Sequence, residues 1–437
     1  MNPLKTIILL LLISTLSCKT NQDKGTQSKM EPLKVELNKT DNHFQLLKNG
    51  DPYFIMGAGT TMDKIRELSE NGANSCRTWS TETENYTADQ FMDTAHYYNL
   101  TVTLGLDVQK ERKGFDYNDS VAVKKQFEYI KKEVLKYKDH PALLVWGIGN
   151  ELNLNYTNPK VWDAVNDIAK MIKEVDPNHP TTTMLAGIKE YDVLEIAKRC
   201  PDLDFLSIQM YGDLSNLQQR IRESGYDGPY VVSEWGATGH WEVASTAWGA
   251  PIEQTSKEKA ESYIHRYRVA IESDSLRCLG SYVFYWGQKQ ERTPTWYGLF
   301  TEKGYPTETI DAMHFLWKEK WPENRAPQLD SLRLNGLSAF DNIKLEPSET
   351  YTAEVFYRNA EDEPIRYQWE ILYESNDLSV GGDYESRPDS VDGLIQNDNT
   401  NQVKITTPKE KGAYRLFVYV IDSQNKTATA NIPFYVN

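Results

Sequence analysis

Cysteine is scarce in this chain. There are four in 437 residues, and after Cys18 the other three, Cys76, Cys200 and Cys278, lie far apart with no C-x-x-C pair. That spacing excludes a disulfide framework and a zinc knuckle, and the three read as buried small hydrophobes. Histidine is rare too, seven in all, with no H-E-x-x-H and no close pair, so a zinc hydrolase has no ligand set. No G-x-S-x-G turn is present to carry a serine nucleophile. Gly57-Ala58-Gly59-Thr60-Thr61-Met62 only partly echoes a dinucleotide loop, because Met62 stands where the third glycine belongs. It reads as a tight turn after a strand. Neither a metal nor an organic cofactor is called for. Positive charge is in deficit, 48 Lys and Arg against 63 Asp and Glu, for a net charge of -15. A chain this acidic is repelled by polyphosphate and by anionic lipid surfaces, so nucleic acid is not an expected partner.

Long hydrophobic runs are also missing. The apolar run Ile7 to Ile13 falls short of the ~20 residues that a permanent membrane helix needs. With Lys5 before it and Ser14-Thr15-Leu16-Ser17-Cys18 after it, it has the parts of a secretory signal. Cys18 followed by the polar stretch Lys19 to Lys29 resembles a bacterial lipoprotein signal. That resemblance implies a signal over residues 1–18, a lipid on Cys18 and a flexible tether over 19–30. The protein would then be exported to the outer membrane or cell surface, touching the membrane only through its anchor. An ordinary signal cleaved nearby, with a periplasmic product, is the alternative.

What is present suits large cores: 39% of residues are hydrophobic, and Trp 11 and Tyr 26 supply many flat stacking faces. From Tyr53 onward an apolar run, a polar loop and a helical segment recur. The eight runs are Tyr53–Gly57, Ala73–Trp79, Thr101–Leu106, Leu143–Gly149, Thr181–Leu185, Phe205–Met210, Tyr230–Ser233 and Ser281–Tyr285. They are short and nearly continuously apolar, as strands buried on both faces must be. Between them Val123, Phe127, Ile130 and Val134, or Val161, Val165, Ile168 and Ile172, recur at helical spacing. Asn158-Pro159 starts the second of these helices. Eight strand-helix units predict a (β/α)8 TIM barrel over residues 31–323, its bottom closed by a leading hairpin of Leu33–Leu37 and Phe44–Leu47. A doubly wound open sheet is the alternative. After Asn324 helical periodicity stops, and short alternating runs separated by turn residues predict a small all-β sandwich over 324–437. Trp369 and the Gly412-Ala413-Tyr414 phrase resemble immunoglobulin-like modules of bacterial surface proteins, expected here to act as a spacer or support.

In such a barrel the reacting groups sit at the carboxyl ends of the strands. Strand four runs into Trp146-Gly147-Ile148-Gly149-Asn150-Glu151, and strand seven into Val232-Ser233-Glu234-Trp235-Gly236. One strand-end glutamate is equally well a salt bridge or a helix cap. Two facing a shared cleft are what glycosidic cleavage requires, one protonated to assist the leaving oxygen and one ionised to attack or to activate water.

Asn150-Glu151 on strand four with Glu234 on strand seven resembles the retaining glycoside hydrolases of clan A over roughly residues 44–320. The resemblance implies that Glu151 is the acid/base, Glu234 the nucleophile and Asn150 the partner of the sugar 2-hydroxyl. It also implies that Arg77 lies beside the nucleophile, that Tyr211 orients it and that Trp286 is the aromatic floor under the reacting sugar. Retention would place the two carboxyls ~5–5.5 Å apart. Trp79, Trp235, Trp241, Trp248, Trp296 and Tyr297 are candidate walls for sugar rings. His240 is a candidate hydroxyl partner, and Gln209 faces wherever Tyr211 faces. The Asn-Glu and Ser-Glu-Trp-Gly phrases and the hairpin look most like family 2 catalytic domains, although those normally carry a jelly roll and a sandwich ahead of the barrel. A barrel followed by one immunoglobulin-like module looks more like the β-1,3-glucanases of family 158. The substrate implied is an oligo- or polysaccharide, β-1,3-glucan first, with a β-galactosidase or β-mannosidase type of chain-end enzyme as the alternative. A surface glycan-binding lipoprotein on an inactive barrel is the rival from another class.

Overall fold

A computed structural model of the protein describes residues 31–41, 43–359 and 364–437. Cys18 and the expected signal and tether lie outside the described residues. The leading element is a three-stranded antiparallel sheet rather than a simple hairpin: β1 (Val35–Thr40), β2 (His43–Lys48) and β3 (Asp51–Tyr53). Asn49 and Gly50 both take positive φ, 53° and 88°, the conformation a two-residue hairpin turn needs. Val35 and Leu46 pack on Ile55, Val145, Phe205, Val231 and Leu279 near the starts of the barrel strands. This small sheet therefore plugs the amino-terminal end of the barrel.

Eight parallel strands close the barrel: β4 (Ile55–Thr60), β5 (Ser75–Arg77), β6 (Thr101–Leu106), β7 (Leu143–Asn150), β8 (Thr181–Ala186), β9 (Phe205–Gln209), β10 (Tyr230–Trp235) and β11 (Cys278–Trp286). Gly57 and Gly59, which hinted at a nucleotide loop, are residues of β4. A Cβ on Gly59 would stand 2.5 Å from the ring of Trp79, so the position is glycine to make room for that indole. The helix Lys160–Val175 buries Trp162, Val165, Ile168 and Ile172 on its inner face and shows how the helical layer is held. Cys76, Cys200 and Cys278 are buried and free.

The second domain is a sandwich of two four-stranded sheets. One contains β12 (Gln328–Leu334), β14 (Thr350–Arg358), β16 (Ile395–Gln396) and β17 (Gln402–Thr406). The other contains β13 (Lys344–Leu345), β15 (Arg366–Tyr373), β18 (Gly412–Ile421) and β19 (Thr427–Val436). Strand β12 escapes a period-two reading because a bulge between Leu329 and Ser331 breaks its alternation.

The two domains are joined by buried polar contacts. Lys426 Nζ reaches Asp311 Oδ1 at 2.5 Å, Asn431 donates to Glu253 at 2.6 Å, and Arg415 donates to the Pro251 carbonyl at 2.8 Å. The backbone N–H of Thr429 donates to Ser256 Oγ, which donates to Glu308 Oε2 at 2.8 Å. Burial, helped by the charge of Asp311, pushes the Glu308 carboxyl up to about 8. Its folded-state value is raised, so the folded protein keeps a proton that the unfolded chain releases. Stability from this group is thus lost as pH rises from the ordinary carboxylate range towards 8. A Glu308→Gln variant is expected to gain melting temperature over the wild type as pH goes from 5 to 8.5. A gap that does not change with pH would contradict this.

Candidate active site

The carboxyl ends of the strands surround a cavity of about 940 Å³, lined by residues that follow β5 to β11. Strand β5 delivers Arg77, which is buried. Its Nη1 donates to the Ser233 carbonyl at 2.8 Å and to Glu234 Oε1 at 3.1 Å, and its Nη2 donates to Asn150 Oδ1 at 2.8 Å. Trp79 Nε1 donates to the same Glu234 oxygen at 2.8 Å, and Tyr211 OH donates to Glu234 Oε2 at 3.0 Å. Glu234 therefore sits in a ring of donors, the surroundings of a carboxylate that accepts and does not donate. Burial, with the Glu234 charge second, raises the Tyr211 phenol well above its usual range and keeps it a donor.

Strand β7 ends differently. Gly149 turns through φ 73° and Glu151 itself has φ 53°, a left-handed conformation that costs an ordinary residue about 1–2 kcal/mol. The Glu151 N–H is pinned to the Met184 carbonyl at 2.9 Å, so the turn swings the side chain into the cavity opposite Glu234. Burial first, and the Glu234 charge second, raise the Glu151 carboxyl to about 7 against the opposing pull of Lys110, Arg112 and Arg77. Asn150 Oδ1 also accepts from Gln209 Nε2 at 2.7 Å. Its amide oxygen is thus occupied twice.

Trp79, Asn150, Tyr211 and His240 line the cavity with the two glutamates, as do Gln209, Trp241 and Tyr297. Burial, with Arg292 second, lowers His240 to about 4, so its ring is neutral near pH 7. Trp286 requires a correction. It is fully buried, packed on Phe300 and Trp317 at 5.8 and 5.6 Å, because the pairing of β11 with β4 shifts between Val283 and Trp286. Phe284 and Tyr285 line the cavity in its place. Trp235 is a second correction. Following the inward-facing Glu234, it points outward and packs on Tyr263 and Tyr267. Trp296 is buried behind His240, and Trp248 lies between the domains against Tyr435. The sequence reading missed Lys110, Glu242, Lys289 and Arg292. It also missed Ser379, Val380, Gly381, Gly382 and Asp383 of the sandwich, all of which line the cavity. The sandwich is thus more than a spacer.

Residues 62–288, just over half the chain, match the family described as glycosyl hydrolases family 2, TIM barrel domain. The chain belongs to that family. A probable mannan endo-1,4-beta-mannosidase C of Aspergillus terreus is 30% identical over 96 residues, 18% of this chain and 24% of the relative. Among solved structures, an FMN-binding beta-glucuronidase of Facaelibacterium prausnitzii L2-6 is similar with a TM-score of 0.50. It is 15% identical, over 92% of this chain and 59% of the other. A glycoside hydrolase family 5 mannosidase of Rhizomucor miehei, solved as a point mutant, gives 0.46 at 16% identity, over 65% and 96%. The chain thus spans about a quarter of the curated relative and three fifths of the glucuronidase, and at these identities the structural likeness is one of fold. In this family 2 barrel, the buried Arg77–Glu234 pair can be tested by a single substitution. Arg77→Leu strands a buried carboxylate and is expected to cost about 3–5 kcal/mol. Adding Glu234→Gln should recover part of the loss, with both read from urea unfolding.

Proposed function

We propose that the protein is a retaining glycoside hydrolase with Glu234 as nucleophile and Glu151 as acid/base. The observation that carries this is the contrast between the two carboxyls. One is surrounded by donors, and the other is buried and lifted to about 7 beside it. A raised carboxyl beside a second one held among hydrogen-bond donors is the arrangement that suits a proton donor next to an attacking group. Glu234 attacks the anomeric carbon as the glycosidic C–O bond breaks, and the Glu151 proton passes to the departing oxygen. Once Glu234 is esterified its charge is gone, and Glu151 can accept a proton from water. That water attacks the same carbon, releases the sugar and restores both groups. In this reading Asn150, whose oxygen is taken by Arg77 and Gln209, donates from its amide N–H groups to the sugar 2-hydroxyl. Trp79, Trp241 and Tyr285 offer aromatic faces to sugar rings.

The substrate proposed is a β-linked glycan, β-1,3-glucan first, on the strength of the barrel-plus-module resemblance. The 96-residue similarity to a mannan-cleaving relative favours β-mannoside as the second reading. Export with a lipid on Cys18 is proposed from the sequence alone.

Incubation with a panel of β-glucans and β-mannans should release sugars whose first-formed anomer, by proton NMR, has retained configuration. Initial inversion would sink the assignment. Glu234→Ala should abolish turnover while leaving binding. Glu151→Ala should lose about 10²- to 10⁴-fold on natural leaving groups and much less on dinitrophenyl glycosides. The proton on Glu151 is needed for the first step, so kcat/KM should fall as pH rises through about 7. That limb should disappear in Glu151→Gln assayed on the dinitrophenyl substrate.

A further inference from the structure

The sandwich segment 374–394 leaves β15, crosses to the barrel and returns to β16. Its stretch 379–383 lies over the mouth and lines the cavity. It is tied at both sides. Behind β6, Arg112 Nη1 and Lys113 Nζ each reach an oxygen of Asp383 at 2.8 Å. Behind β11, Lys289 Nζ donates to the Gly382 carbonyl at 2.8 Å, and the Arg292 N–H and guanidinium both engage the buried Glu385 carboxylate. Arg292 Nη2 also donates to the Ser379 carbonyl at 3.2 Å. The tip is closely seated. Gly381 takes a positive φ of 66°, and a Cβ there would lie 2.8 Å from Arg112 Nη2 and from the Leu154 side chain, both of which would have to shift. Between the ties, Val380, 60% exposed, presents an apolar side chain at the cavity.

In the ring of strands β4 and β5 lie between the two ties, and Gly381 also meets Leu154 after β7, so the segment crosses the mouth from the β11 side to the β6 and β7 side. After β8 to β10 the cavity is lined by barrel residues, among them Gly187, Asp213, His240, Trp241 and Glu242. A long glycan can be cut internally only where a cleft is open at both ends.

Resting on the hydrolase reading above, we propose that residues 379–383 wall off one end of the cleft and make the enzyme act from a glycan chain end. The sandwich is then a specificity-determining part of the active site. Asp383 and Glu385 are positioning residues that hold the wall.

The test uses the full chain on β-1,3-glucan and β-1,4-mannan polymers and on their end-labelled hexasaccharides. For the wild type, one small product from the earliest times is expected, with polymer viscosity nearly constant as reducing ends accumulate. The Asp383→Ala/Glu385→Ala double variant should release a ladder of sizes, with the viscosity loss per reducing end rising at least fivefold. Melting temperature checks that it is folded. An early ladder from the wild type overturns the proposal, as does an unchanged product pattern in the folded variant. If the variant does not fold, the wild-type ratio of viscosity loss to reducing ends decides alone. Release from no glycan by the wild type would instead bring down the hydrolase reading, and this proposal with it.

Discussion

The site depends on one buried cation. Arg77 is held by three acceptors from two other strands, the Ser233 carbonyl, the Glu234 carboxylate and the Asn150 amide oxygen. Taking a guanidinium out of water is costly, and the acceptors at both Nη atoms offset that although Nε is left without one; the planar fork lets one side chain meet acceptors lying in different directions. Strand two is thereby locked to strands four and seven at the level where chemistry would occur. The same contacts fix the protein's polar geometry towards a substrate. Glu234 cannot rotate without losing the bonds to Arg77, Trp79 and Tyr211, and Asn150 cannot flip without facing two donors with its own N–H groups. Precision of this kind comes from a rigid scaffold rather than from loops.

The space for that arrangement is made by small residues. Gly59 lies under the Trp79 ring, and a Cβ on Gly105 would stand 2.8 Å from the Trp79 Cα. Two barrel strands thus give up side chains so that one indole can reach the carboxylate. On the opposite side, the positive φ of Gly149 and Glu151 spends backbone energy to aim a carboxyl into a cavity that strand geometry alone would not let it enter. Burial there then does what a catalytic acid needs.

The barrel was legible because strands buried on two faces show near-continuous apolar runs, and the residues at their ends followed from counting strands. Glu151 and Glu234 were found that way, Arg77, Asn150 and Tyr211 came from the clan A resemblance, and the five do come together. Roles and facing were harder. Trp79 was expected only as a wall for sugar and also donates to Glu234, since a sequence does not say which edge of an indole is turned inward. The outward turn of Trp235 was available from the period of two, given that Glu234 faces the cavity. The fate of Trp286 was not, because an irregular register near the end of β11 leaves Phe284 and Tyr285 at the cavity instead. Lys289 and Arg292 belong to loops without periodicity. The contribution of residues 379–383 was invisible for another reason: it depends on how two domains dock, and nothing local in the chain encodes that.

That docking also enters the electrostatics of the acid. Lys110, Arg112 and Arg77 all favour a charged Glu151, working against burial and the Glu234 charge. Arg112 is not free to act alone, since it and Lys113 share Asp383. Burial works against ionising Asp383, yet the hydrogen bonds from these two bases hold its carboxyl down to about 2. A permanently negative group from the sandwich therefore sits against the basic cluster nearest the raised glutamate. Without it, the charge of Arg112 would act uncompensated on the raised Glu151 carboxyl. Lys110, its own ammonium weakened by burial, is left as the nearer and softer influence. The wall across the mouth and the proton on Glu151 thus share one anchor, Asp383. A change in how the domains meet would alter the reach of the cleft and the acidity inside it together.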